Sequence, residues 1–71
     1  MTHENTFRLA SDIGGTFTDT VLIDANDTVV ATTKTPTTPR APAEGALLGA
    51  QHVMRAAGIE WHQVSGKIHG T

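Results

Sequence analysis

The stretch Asp12-Ile13-Gly14-Gly15-Thr16-Phe17-Thr18-Asp19 leaves this chain few options. It lies between two runs of alternating character, Phe7 to Ile13 and Phe17 to Ile23, so the glycine pair falls where one strand must reverse into an antiparallel neighbour. Glycine has no Cβ and tolerates φ > 0, so successive N–H groups can point into one concavity and admit a bulky anion close to the main chain. Thr16 adds a hydroxyl beside those amides, and Asp12 sets a carboxylate at the strand end, where it could hold Mg²⁺ through water. The residues therefore read as a phosphate-and-metal constellation. The other reading is a plain hairpin turn, in which Asp12 caps the turn and Asp19 is solvated or bonds within the hairpin.

The rest of the chain supplies a scaffold for that turn. Phe7, Leu9, Ser11 and Ile13 alternate with Arg8, Ala10 and Asp12, which predicts a central strand. The second strand, from Phe17, ends at Asp24-Ala25-Asn26-Asp27, whose Asn and Asp favour a tight turn, and a Val- and Thr-rich third strand follows over Thr28 to Lys34. Residues 7–34 thus form a three-stranded antiparallel meander. Three prolines make residues 35–42 a connector, because each removes a donor and restricts the residue before it.

From Pro42 to Ala57 the apolar positions Ala43, Ala46, Leu47, Ala50, Val53, Met54 and Ala57 recur at the spacing of one helix face. Pro42 suits the first turn, Glu44 complements the dipole, and Gly58 suits the stop. Ile59 to Ser65 reads as a loop or short turn anchored by Trp61, and residues 66–71 as the start of a fourth strand. A right-handed crossover sets that strand parallel to the first and beside it. His69-Gly70-Thr71 then comes close to Asp12, in the kind of crevice that ligands favour at the carboxyl ends of strands.

With 71 residues and no cysteine, the chain makes one small unit without disulfides and is compatible with a reducing cytoplasm. Its N-terminus, Met1 to Thr6, is polar and is expected to be a flexible lead; it lacks the apolar core of a signal peptide. No apolar run approaches the ~20 residues that span a bilayer. A net charge of −2 with five scattered Lys and Arg argues against a nucleic-acid surface. His3, His52 and His62 lack metal-ligand spacing. His69 stands between two roles, contact with a substrate and a strand histidine bonded to backbone. No P-loop, dinucleotide fingerprint or nucleophile elbow occurs, so any catalysis must be phosphate-centred.

The octet and its flanking strands resemble the first phosphate motif of the superfamily joining actin, the sugar kinases and the heat-shock chaperone ATPases. The resemblance is greatest to the N-terminal domain of the hydantoinase A and 5-oxoprolinase family, supported by Thr20-Val21-Leu22-Ile23-Asp24, Lys34-Thr35-Pro36-Thr37-Thr38-Pro39 and His69-Gly70-Thr71. It implies an α/β fold, α+β within this stretch, that opens a ribonuclease H-like domain in the order β-β-β-α-β. The implied activity is ATP-driven opening of a cyclic amide such as 5-oxoproline or a hydantoin; ketone carboxylation by a related phosphorylated intermediate is the alternative. In this scheme Gly14, Gly15 and Thr16 cradle the ATP phosphates, Asp12 holds Mg²⁺, and Asp19, His69 and Thr71 line the site.

Family members are several-fold longer, so the cleft implied needs further domains or a second subunit. Turnover is not expected of the 71 residues alone. A non-catalytic module pairing through its exposed sheet edge is the reading from a different class.

Overall fold

The computed structural model describes residues 6–70, with side chains as far as Ser65. The expectations for Met1 to Asn5 and for Thr71 lie outside the described residues. Strands β1 (Phe7–Ile13), β2 (Phe17–Ile23) and β3 (Val29–Pro36) form an antiparallel meander. Helix α1 (Pro42–Ala57) follows, then a 3-10 turn at Trp61–Gln63 and strand β4 (Val64–Gly70). The sheet order is β3-β2-β1-β4, with β4 parallel to β1. This is the β-β-β-α-β order expected, an α+β unit on a mixed sheet with β1 inside it.

Local chemistry explains the joints. Between β2 and β3, Asp24 Oδ1 accepts from the N–H groups of Asn26 and Thr28, at 2.8 and 3.0 Å, and Asp27 takes φ 61°, a conformation that Asp tolerates better than most residues. Arg8, across the sheet, pairs with Asp27. At the end of α1, Gly58 adopts φ 71°. Its N–H reaches Arg55 O, and the Ile59 N–H reaches Met54 O at 3.0 Å, the paired bonds of a Schellman stop.

Two strand boundaries differ from expectation by two residues, and β3 starts one residue late, at Val29. β3 runs through Thr35 and Pro36, because an edge strand tolerates proline where a central one would lose a ladder bond. β4 begins at Val64 rather than residue 66, since Val64 is buried in the core and pairs with Phe7 before a register shift leaves Ser65 between ladder partners.

The apolar core gathers Leu9, Leu22, Ala50, Val53 and Val64, with Phe7, Ala31, Met54, Ala57 and Ile59 against it. Toward the glycine turn the same layer changes character. Thr18, Thr20 and Thr35 are buried there beneath α1, and the helix meets them with Gly45, Ala46 and Gly49. The expected helix face is corrected accordingly: Leu47 is 57% exposed and Ala43 is exposed, while two glycines lie inside. A Cβ at Gly49 would collide with Thr20 Oγ1, so the small residues let the helix backbone approach the threonine face and larger side chains are turned outward. Trp61 is likewise 48% exposed and does not enter the core that Ile59 and Val64 complete from either side of it.

Thr20 Oγ1 is buried with no hydrogen-bond partner among the described residues. Thr20→Val keeps the shape and removes the orphaned hydroxyl, so it should stabilise the chain by about 1 kcal/mol in urea unfolding. A fall in stability would show that the hydroxyl has a partner. Among the described residues no helix is long and apolar enough to cross a membrane.

Candidate functional site

The β1–β2 reversal is closed by the Gly14 N–H, which donates to Phe17 O at 3.0 Å, and leaves Gly15 and Thr16 as the loop proper. Adding a Cβ at Gly14 would bring it to 3.0 Å from the same Phe17 oxygen, so the tight closure favours glycine there. Gly15 differs. A Cβ on it would meet nothing within 4 Å, and its φ lies outside the left-handed region. Its missing side chain is therefore explained neither by strain nor by packing within the described residues.

The Gly14 amide serves the turn, which narrows the expected cradle to the N–H groups of Gly15 and Thr16. Among the described residues neither has a hydrogen-bond partner. The Thr16 carbonyl accepts from the Thr37 N–H at 2.8 Å. Gly14, Gly15, Thr16 and Asp12 are all exposed, so the turn opens outward.

One step back from the turn, Asp12 and Asp19 are direct cross-strand partners, and Asp19 is in turn partnered by Lys34 on β3. Carboxylates placed opposite each other repel. Lys34 Nζ lies 3.5 Å from Asp19 Oδ1 and 5.6 Å from the Phe17 ring centroid, so Asp19 has a cation at hand. Asp12 has no ion-pair partner among the described residues. Both members of the Lys34–Asp19 pair are more than half exposed, so it offsets only a small part of that repulsion.

On the other side of Asp12 lies Gly70 of β4, with His69 beside Ser11. The structure thus brings the backbone of His69-Gly70 alongside Asp12, as the crossover argument required. Thr71 lies outside the described residues. Sequence reasoning missed Lys34 and Thr37 as neighbours of the turn. The signal for Lys34 was register: a hairpin turning at Asp24 to Asp27 puts it opposite Asp19.

Asp12 and Asp19 can supply one or two carboxylates to a hard cation that keeps most of its waters, which is how Mg²⁺ is ordinarily held. No group of three or more His, Cys, Asp and Glu converges among the described residues.

An exposed glycine turn with unused amides, a carboxylate pair beside it and a parallel strand bordering it lie together at one end of a mixed sheet. The chain belongs to the hydantoinase/oxoprolinase N-terminal region family, whose model matches residues 8–71. It is also similar to an uncharacterized protein of Methanocaldococcus jannaschii, 38% identical over 65 residues that make up 92% of this chain and 9% of that relative. The chain therefore spans less than a tenth of the length of the relative it matches.

Proposed function

We propose that this region is the phosphate and metal corner of an ATP-dependent enzyme that opens a cyclic amide of the 5-oxoproline or hydantoin type. The observation that carries the reading is Gly15, an exposed glycine in a turn where neither backbone conformation nor packing within the described residues requires one. A phosphate approaching the main chain does require one, because a Cβ would stand between the anion and the amides. The unpartnered N–H groups of Gly15 and Thr16 are the donors for it, and Asp12, opposite Asp19, is where Mg²⁺ would be held through water.

The chemistry explains the need. An unstrained amide is a poor electrophile, and a phosphoryl group on its oxygen turns that oxygen into a leaving group. ATP, Mg²⁺ and the amide must then be held in line, which is a problem of positioning and charge. Amides fixed in direction beside a carboxylate meet the phosphate side of that requirement. His69, carried by β4 to the same end of the sheet, is the candidate on the substrate side.

Gly15→Ala tests the reading in the intact enzyme proposed, of which this chain would be one region. Because the new Cβ meets nothing and the backbone is unstrained, the variant should unfold within about 0.5 kcal/mol of wild type. Mg²⁺-ATP at a hundredfold excess over Kd should stabilise the wild type by about 2.7 kcal/mol, and Gly15→Ala should lose most of that increment. A variant that kept the full ATP response would remove the phosphate assignment of Asp12 to Asp19.

A further inference from the structure

The Lys34-Thr35-Pro36-Thr37-Thr38-Pro39 segment has so far been only an edge strand and a connector. Its contacts go further. Thr37 touches the glycine hairpin twice: its N–H donates to Thr16 O at 2.8 Å, and its hydroxyl shares a 2.8 Å hydrogen bond with Thr18 Oγ1, whose residue is fully buried. Just upstream, the Thr35 hydroxyl donates to Gly45 O at 2.9 Å, and a Cβ on Gly45 would come within 3.0 Å of Pro36 O. The segment is therefore wedged between the turn on one side and the first turns of α1 on the other.

We infer that Thr37 is a positioning residue for the anion site at the glycine turn, an inference that rests on the phosphate reading above. A peptide unit is planar, so a bonded carbonyl fixes the orientation of its whole plane. The Gly14 N–H is held by Phe17 O on one side of the loop and the Thr16 carbonyl by Thr37 on the other. Between these two fixed planes lie only the units that carry the N–H groups of Gly15 and Thr16. A turn containing two glycines would otherwise sample many orientations. Thr37 thus sets the direction of two amides it does not touch, and donors already aimed at a developing or resident negative charge need no reorganisation when it arrives. The Thr37 hydroxyl contributes by satisfying Thr18, which keeps the connector seated against β2.

The test uses the intact enzyme proposed above, Mg²⁺-ATP as the probe, and three substitutions read by Kd and by the ATP-induced rise in melting temperature. Thr37→Ser keeps both bonds and should bind as wild type does. Thr37→Val keeps the N–H and loses the hydroxyl; its Kd should rise about fivefold, the scale of one hydrogen bond. Thr37→Pro removes both donors and should abolish the ATP-induced rise; if it does not fold, the comparison of Val with Ser decides. A merely structural role would lower the melting temperature without ligand and leave Kd unchanged, and that result in Thr37→Val overturns the inference while the phosphate reading stands. No ATP-induced rise in wild type overturns the phosphate reading itself, and the role of Thr37 falls with it.

Discussion

In the intact enzyme proposed above, of which this chain would be one region, Asp12→Asn should lower Mg²⁺-dependent ATP hydrolysis by about a hundredfold or more, the scale reached when one preorganised electrostatic partner of a transition state is removed. The substitution keeps the shape of the side chain and removes the charge that a hard cation prefers. Asp12 is exposed at the strand end, so the fold should not notice, and removing one of two facing carboxylates relieves repulsion. The melting temperature should therefore hold or rise slightly. Asp19→Asn should have the smaller effect on hydrolysis, because Lys34 already partners Asp19 and competes with a metal for it. Steady-state hydrolysis against Mg²⁺ concentration distinguishes the two. Equal losses at both positions with unchanged melting would reverse their ranking, and full activity in Asp12→Asn would remove the metal role from Asp12.

The turn, the meander, the helix bounds and the parallel fourth strand were all legible in the sequence, since each depends on local signals. Glycines sat between alternating runs, Asp24 to Asp27 marked a tight turn, Pro42 and Gly58 marked the ends of α1, and handedness settled where β4 must lie. The packing between layers was not legible. In β2 the buried set is Thr18, Thr20 and Leu22, while the more apolar Phe17 is nearly half exposed. A hydropathy pattern ranks residues by transfer from water. It does not register that a helix bearing Gly45 and Gly49 can approach a face of threonines closely and satisfy Thr35 with its own carbonyl at Gly45. The same blindness put Leu47 inside.

Around the glycine turn the residues neighbouring in sequence were legible and their hydrogen-bond partners were not. Which amide closes the turn is decided by a single backbone bond, Gly14 to Phe17, and which stay available follows from it. Thr37 was noted only as part of the connector, because its reach to Thr16 depends on β3 continuing through Pro36.

That close approach yields the largest expected effect on stability. Alanine is favoured over glycine inside a helix by about 1 kcal/mol, so on propensity alone Gly49→Ala should stabilise. Its Cβ, however, would collide with Thr20 Oγ1 and come within 3.0 Å of Thr20 Cβ and 3.5 Å of Thr33 Cγ2, atoms of a strand layer that cannot swing aside like the tip of a long side chain. Overpacking of this kind costs about 1–3 kcal/mol, and its upper range applies where backbone must shift, so the clash should outweigh the propensity gain and leave a net loss of about 1–2 kcal/mol. The double variant Thr20→Ala/Gly49→Ala separates the terms. Thr20→Ala removes the colliding hydroxyl, itself unpartnered among the described residues, so in its presence Gly49→Ala should cost little or become favourable. Urea unfolding of the four chains should give a coupling of about 1 kcal/mol or more between the two positions. Additive effects would mean that the helix does not rest on β2 through Gly49, and the separation of layers that positions the glycine turn would need another explanation.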